Sequence, residues 1–294
     1  MTSGGRALGV ALAASIVACS PRGAAAPDAS RPVPTAGPSR PLDRHPAPEV
    51  VRYGPSAVRY VVRRQLHIEQ SLGGTPQTQD LGTQMFVSAT ITGPADTAGY
   101  PATFTIDSIV PDSGTPPPIA DSFLRVRRLV FTGRVAAQGE FQGSVVSDSA
   151  LARNLLQLLG NFHDFLPRIP RDGVRLGASW TDSLSSTQRG GSTEVTRRSL
   201  TQSNAAAWEV RSGTRSLRLD LSGTYTVSGS GQNGGQFFQM GGSGTSAGRA
   251  FLAEDGRFLG GESRDSAALT VSLPAQGLTL PVMQVLTTTV TPLL

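Results

Sequence analysis

Alternating apolar and polar residues run through most of the chain and predict β-strands. In the first clear strand, Tyr60, Val62 and Ile68 lie on one face and polar residues on the other, which is the period of a half-buried strand. Arg64 interrupts the apolar face, so we expect this strand to twist or to lie at a sheet edge. Residues 217–221 alternate Leu with Arg and Asp and predict the best-defined strand.

Similar patterns, bounded by glycine, proline and aspartate turns, continue through residues 50–294. Asp255-Gly256 is a strong hairpin signal. The pattern predicts roughly a dozen strands in a single β domain. Further strand segments are expected at 85–91, 104–106, 129–135, 141–146, 195–201, 208–211 and 282–290.

A helical spacing occurs between the two β-rich parts of the chain. Leu151, Leu155 and Leu158 lie on one face of a helix. Gly160 can end that helix, because glycine adopts the left-handed conformation without strain. The spacing predicts a helix over residues 151–159.

The segment after this helix contains Pro167 and Pro170, which exclude regular structure, and strands resume at Trp180. The sequence thus predicts a mainly β fold: a single antiparallel, strongly curved sheet, either a half-barrel or an open barrel, with one central helix packed against its concave face. Five apolar residues of this region are candidates either for lining a ligand cavity or for ordinary core packing: Leu151, Leu155, Phe162, Phe165 and Trp180.

The N-terminal residues are organised like an export signal. Arg6 precedes the apolar run Ala7–Val17, which is shorter than the ~20 residues that span a bilayer and suits a signal peptide. The run ends in Ile16-Val17-Ala18-Cys19, which resembles the lipobox of bacterial lipoproteins. Ordinary secretion, with cleavage near residues 23–26, is the alternative.

The lipobox resemblance implies that residues 1–18 are removed and that Cys19 carries acyl chains in the membrane. Ser20, at the next position, implies sorting to the outer membrane. Residues 19–49 are rich in Pro, Ala, Ser and Arg and are predicted to form a tether between the lipid anchor and the β domain.

Composition limits the chemistry. The 26 basic residues are all arginine, and the formal net charge is +5. A single cysteine excludes an intrachain disulfide and a cysteine-based metal site. Arg63-Arg64, residues 125–128 and Arg197-Arg198 cluster positive charge, but nucleic acid is an improbable partner for an exported protein. We expect these arginines to face solvent, with attraction to anionic lipid or lipopolysaccharide head groups as an alternative.

Motifs of catalysis are weak. Gly229–Gly234 matches G-x-G-x-x-G, but no helix is predicted after it to receive phosphates, and we interpret it as a flexible loop between strands. His67 lies on the polar face of the first strand, and His163 beside Asp164 suggests a surface turn. No G-x-S-x-G or H-E-x-x-H motif is present. The sequence predicts no catalytic residue, metal ligand or cofactor.

Residues Leu166–Pro170 and Leu176–Trp180 resemble a family of uncharacterised secreted or lipidated bacterial β proteins, which have a proline-containing crossing followed by a Gly-x-x-Trp entry into a second β half. At the level of architecture, a signal peptide, an antiparallel sheet and a helical plug are similar to the lipoprotein-localisation carriers LolA and LolB. This resemblance implies an outer-membrane lipoprotein facing the periplasm that binds or carries a hydrophobic ligand without catalysis. A structural or assembly lipoprotein and a hydrolase are the alternatives.

Overall fold

Eleven strands dominate the computed structural model, which describes residues 46–72, 75–112, 128–145, 162–190, 192–233 and 235–293, with Thr115, Ala120, Asp121 and Phe123 in addition. The strands are β1 Ser56–Leu72, β2 Thr75–Ile91, β3 Tyr100–Pro111, β4 Leu129–Val135, β5 Phe141–Val145, β6 Ser179–Gly190, β7 Thr193–Arg211, β8 Thr214–Asn233, β9 Gln236–Ala253, β10 Phe258–Leu273 and β11 Leu278–Leu293.

All eleven strands belong to one antiparallel sheet, in the order β5-β4-β3-β2-β1-β11-β10-β9-β8-β7-β6. Two meanders therefore meet where the first strand pairs with the last, from Arg59 opposite Leu293 to Gln70 opposite Val282. In the described residues β5 and β6 are the two ends of the sheet and do not pair with each other. This confirms a mainly β fold with one open antiparallel sheet.

Contacts between strands that are not neighbours show that the sheet is curved. Strands β7 and β10 are separated by β8 and β9 and would lie ~14 Å apart in a flat sheet. Yet Arg197 Nη2 on β7 lies 3.3 Å from Asp265 Oδ1 on β10. The Tyr60 hydroxyl on β1 likewise donates to the carbonyl of Phe258 on β10, at 2.9 Å across β11. Because strand side chains stand roughly perpendicular to a sheet, such contacts require a concave face.

The predicted helix over residues 151–159 lies outside the described residues. Besides Ala120, Asp121 and Phe123, which are helical, the described elements other than strands are the 3-10 turns Phe162–Asp164 and Pro274–Gln276. Among the described residues, no central helix packs on the concave face, so the expectation of one there is wrong. An irregular stretch, residues 162–178, covers one end of that face instead; we call it the crossing segment. Its prolines account for its irregular backbone.

Backbone hydrogen bonds fix the crossing segment to three parts of the sheet. The Ile169 N–H donates to the Gln138 carbonyl in the β4–β5 turn at 3.1 Å, and the Gly177 N–H donates to Ala205 of β7 at 2.8 Å. Val174 exchanges two hydrogen bonds with Val51, just before β1. The crossing segment therefore joins both ends of the sheet to its centre.

Two strand predictions need correction. Arg64 does not mark an edge, because β1 is paired on both sides, with β2 and β11. Residues 195–201 and 208–211 belong to one strand, β7, with a bulge between Ala205 and Ala207. The bulge adds the extra residue that splits the sequence pattern into two parts.

The glycine-rich stretch from Gly229 to Gly248 is also not a flexible loop, because residues 229–233 end β8 and residues 236–248 begin β9, and these two parts pair with each other. The glycines permit close packing: a Cβ on Gly244 would lie 2.4 Å from Cζ of Tyr225. No helix follows the G-x-G-x-x-G match, since β9 begins at Gln236. The hairpin at Asp255-Gly256 is confirmed, with Gly256 at φ +85°.

In the part of the chain that the structure describes, no helix has the length and apolar character needed to cross a bilayer.

Candidate ligand site on the concave face

The concave face carries a band of polar residues at the middle of the sheet. Cross-strand pairing places Ser263 between Thr288 and Gly248, and places Asp265 between Leu286 and Ser246. Since side chains alternate between faces, these two adjacent rows of the sheet face the interior together. We call the band the polar layer, and it consists of Arg64, Asp182, Thr201, Ser203, Ser246, Ser263, Asp265 and Thr288, with the side chain of Arg197 reaching into it.

Apolar residues bound the polar layer on both sides. Towards the crossing segment, the next row contains Val62, Val290, Ala250, Leu219 and Ala205, all in one buried cluster. In the opposite direction a second buried cluster begins, formed by Ile68, Val195, Tyr225, Val227, Phe238, Met240, Ala267, Leu269, Val271, Leu273, Leu280 and Val282. The concave face is thus apolar, then polar, then apolar along the strands.

Several hydroxyl groups of the polar layer have no hydrogen-bond partner among the described residues. Ser203, Ser263 and Thr288 are 1%, 2% and 4% exposed, and the hydroxyl oxygen of each is buried without a partner in the structure. Leaving a buried polar group unsatisfied costs about 1–3 kcal/mol. These hydroxyls are therefore available to a ligand or to buried water.

A buried ion pair crosses the polar layer. The Arg197 guanidinium lies 3.3 Å from the Asp265 carboxylate, which is 1% exposed, and its carbon Cζ is 3.8 Å from the ring centre of Tyr225. Burial raises the pKa of Tyr225 to about 12, with Asp265 adding to the rise and Arg197 opposing it. The buried Tyr225 hydroxyl, which has no hydrogen-bond partner in the described part of the chain, therefore keeps its proton at neutral pH.

The ligand-lining candidates from the sequence lie at one end of the concave face. Phe162 stacks on Phe104, with ring centres 4.9 Å apart, and Phe165 meets Tyr60 edge to face at 5.2 Å. Trp180 is partly buried against the same cluster. These three residues come together as closely packed core.

Leu151, Leu155 and the lipidation candidate Cys19 lie outside the described residues.

A cluster of charged residues joins the two ends of the sheet beside this core. The Arg168 guanidinium lies 3.3 Å from Glu140 in the β4–β5 turn and 3.5 Å from Asp182 on β6, and it is also 3.5 Å from Asp164. Trp180 Nε1 donates to the Arg168 carbonyl at 3.2 Å. Arg168 therefore holds the β4–β5 turn and β6 together from the crossing segment.

His163 belongs to this cluster and is not an exposed turn residue. Its Nδ1 lies 2.9 Å from Asp164 and its Nε2 lies 2.8 Å from Glu140. The hydrogen bond to Asp164 is the main cause that raises the pKa of His163, with Glu140 contributing and partial burial opposing. Both ring nitrogens are occupied by carboxylates.

His67 has the same arrangement on the outer face. Its Nδ1 is 2.7 Å from Asp80 and its Nε2 is 3.0 Å from Glu69, and it borders a surface depression of about 570 Å³. The hydrogen bond to Asp80 is the main cause that raises its pKa. Among the described residues, neither His67 nor His163 is hydrogen-bonded to a serine or threonine hydroxyl.

The two arginines at positions 197 and 198 face opposite sides of the sheet. Arg197 points inward, with 11% of its side chain exposed, against the expectation that it faces solvent, whereas Arg198 is exposed. Within the described part of the chain, no cluster of three or more His, Cys, Asp or Glu side chains is suited to a metal ion.

Comparison with known proteins identifies no family. No family model matches the chain, and no curated protein matches it. One similar solved structure is OccK2 (OpdF) of Pseudomonas aeruginosa, with 8% sequence identity and a TM-score of 0.26, covering 81% of this chain and 98% of that chain. A similarity at this score supports no conclusion about the chain.

Proposed function

We propose that the chain is a non-enzymatic binding protein of the bacterial envelope, which holds a small amphiphilic ligand on the concave face of its sheet. The observation that carries the proposal is the set of buried, unpartnered hydroxyls of Ser203, Ser263 and Thr288. They lie in a polar layer between two apolar clusters, so a ligand there would meet both polar and apolar surface. Binding sites commonly combine an apolar lining with a few placed polar groups.

The energetic argument favours an occupant. Three unpartnered hydroxyls at about 1–3 kcal/mol each are a considerable cost against a total stability of about 5–15 kcal/mol. A ligand that hydrogen-bonds to them recovers part of this cost. The proposed role is binding or carriage, because both described histidines are already held by carboxylates on each nitrogen.

The direct test is to purify the protein, extract it with organic solvent and analyse the extract by mass spectrometry. The delipidated protein is then titrated with the uncharged apolar dye N-phenyl-naphthylamine. We expect a co-purified amphiphile and saturable dye uptake that the extracted amphiphile displaces. Absence of both a bound molecule and saturable uptake would contradict the proposal.

A variant pair locates the site. The double variant Ser263→Ala/Thr288→Val removes both hydroxyls with little change in shape, so the ligand-free protein should be equally or more stable. Its affinity for the extracted amphiphile should fall about tenfold, equivalent to ~1.4 kcal/mol of lost hydrogen bonding. Thr289→Val is the matched control, because Thr289 is adjacent on β11 but faces the opposite side. Equal affinity in both variants would place the ligand elsewhere.

The proposed location is the outer membrane, facing the periplasm, through acylated Cys19. The supporting observation is the lipobox-like Ile16-Val17-Ala18-Cys19. Cys19→Ala should move the protein from the membrane fraction to the soluble envelope fraction. A variant that stays with the membranes would contradict lipid anchoring.

A structural or assembly role is the second candidate. Its supporting observation is that β6, Ser179–Gly190, is paired with β7 but with no other described strand, and an unpaired strand edge can accept a strand from a partner. Ser185→Pro, at the middle of β6, should then abolish a stable envelope complex on native gels while the concave-face site still binds the dye.

A further inference from the structure

The inward-facing charges of the polar layer balance in sign. Arg64 and Arg197 face inward on β1 and β7, and Asp265 and Asp182 face inward on β10 and β6. Arg197 is held between the carboxylate of Asp265 at 3.3 Å and the ring of Tyr225 at 3.8 Å. Asp182 is engaged by Arg168 at 3.5 Å. Among the described residues, the two arginines and two aspartates of the layer sum to a formal charge of zero.

Asp265 makes the centre of the layer unfavourable for an acid. It is 1% exposed and lies directly opposite Ser246, with Ser263 two residues away on the same face of β10. A carboxylate or phosphate bonded to the Ser263 hydroxyl would therefore lie close to a buried carboxylate. Repulsion between like charges is strong where water is excluded.

The hydrogen-bonding groups of the layer suit a neutral partner. The hydroxyls of Ser203, Ser263 and Thr288 can each donate one hydrogen bond and accept others, whereas an ionised Asp265 only accepts. The Tyr225 hydroxyl, which keeps its proton, adds another donor. A ligand hydroxyl group can accept from the serine, threonine and tyrosine hydroxyls and can donate to the aspartate. An ionised acid can only accept, and so matches the layer less well.

We propose that the ligand of this site is an amphiphile with a neutral, hydroxyl-bearing head group, and that Asp265 excludes the corresponding acid. This inference rests on the proposed binding function. It assigns the polar layer to the head group and the adjoining apolar rows of the concave face to the chain.

The test compares two probes with the same acyl chain, glycerol monolaurate and lauric acid. Each competes with N-phenyl-naphthylamine for the delipidated full chain at about pH 8, where lauric acid is ionised. We expect glycerol monolaurate to compete at least about tenfold more strongly, equivalent to ~1.4 kcal/mol. In Asp265→Asn, which keeps the shape of the side chain, this preference should fall about tenfold through a gain in lauric acid affinity.

Ser263→Ala/Thr288→Val provides a second arm that does not depend on folding of the Asp265 variant. It should weaken glycerol monolaurate more than lauric acid, because the lost hydroxyls are the partners of the neutral head group. The inference would be overturned, with the binding function intact, if lauric acid bound the wild type as tightly as glycerol monolaurate. It would also be overturned if the preference for glycerol monolaurate were unchanged in Asp265→Asn or in the hydroxyl variant. Failure of dye and both probes to bind would instead overturn the proposed function, and the inference with it.

Discussion

Arg197 on β7 and Asp265 on β10 form an ion pair across two intervening strands, with 3.3 Å between Nη2 and Oδ1. The pair is almost entirely buried, and it spans the concave face at the level of the unpartnered hydroxyls. It therefore contributes both to the curvature of the sheet and to the electrostatic character of the candidate site.

Removing the cation of this pair should strongly destabilise the fold. Arg197→Met takes the guanidinium away from a carboxylate that is 1% exposed, and breaking a buried pair on one side typically costs about 3–5 kcal/mol. Urea unfolding followed by circular dichroism measures the loss. Arg189→Met is the control, because the Arg189–Glu194 pair is 75% and 51% exposed and should cost under about 1 kcal/mol. Similar losses in the two variants would show that Asp265 does not depend on Arg197.

The aromatic cluster under the crossing segment should carry much of the stability at that end of the sheet. Phe162→Ala removes a buried ring that touches Phe104 and Phe131 at 4.9 Å between ring centres, for an expected loss of about 3–5 kcal/mol. Phe237→Ala is the matched control, since Phe237 is 42% exposed on β9 and should cost under about 1 kcal/mol. Thermal unfolding separates the two, and a small effect at Phe162 would mean that the crossing segment is not part of the cooperative core.

Arg168 should act as the connection between the two ends of the sheet. Arg168→Met leaves Glu140, Asp164 and Asp182 without their shared cation. Because only 11% of the Arg168 side chain is exposed, the free energy of unfolding should fall by about 3 kcal/mol. Arg175→Met is the control, because its contact with Glu49 is exposed. Hydrogen exchange should show faster exchange at the Ile169 N–H in Arg168→Met. Unchanged protection there would contradict the role.

Stability should depend on pH through His163. Its pKa is raised in the folded protein above the ordinary value of 6.5, so the stabilising contribution is complete below about pH 6.5 and is lost as the pH rises through the folded-state pKa. His163→Gln should therefore flatten the fall in urea midpoint on the alkaline side of pH 6.5.

His67→Gln is the comparison for this titration, since His67 also bridges two carboxylates but lies on the surface. Solvent screening should make its effect smaller. A pH profile that changes with His67→Gln and not with His163→Gln would refute the assignment.

Much of the fold follows from alternation in the sequence. The segments around Tyr60, Leu217 and Val282 lie in strands, because a two-residue period with one apolar face reports directly on a half-buried strand. The turn at Asp255-Gly256 followed from its chemistry. The strand order did not, because the pairing of β1 with β11 depends on contacts between opposite ends of the chain.

The glycine-rich hairpin was misread for a physical reason. Gly229, Gly231, Gly242 and Gly244 are unfavourable in an ordinary strand, so composition alone indicates a loop. In the curved sheet these positions receive the side chains of neighbouring strands, such as the Tyr225 ring over Gly244. Only the packed structure shows that these glycines make room for the side chains of neighbouring strands.

The candidate site was missed although a signal was present. Ser263 and Asp265 lie an even number of residues from Leu269, Val271 and Leu273 along β10, and therefore on the same face of the strand. The alternation of these apolar residues is visible in the sequence. Polar residues on an apolar face indicate either a functional interior or an error in the assigned face. Joining Asp265 to Arg197 required the curvature, which no local pattern encodes.

The pairing of β1 with β11 has a consequence for how the chain folds. Arg59 pairs with Leu293, so the seam between the two meanders joins residues separated by nearly the entire described sequence. Contacts of such long range slow folding, and this one cannot form until the C-terminal strand has been synthesised. Until then one edge of β1 stays unpaired, and an unpaired strand edge is exposed to aggregation.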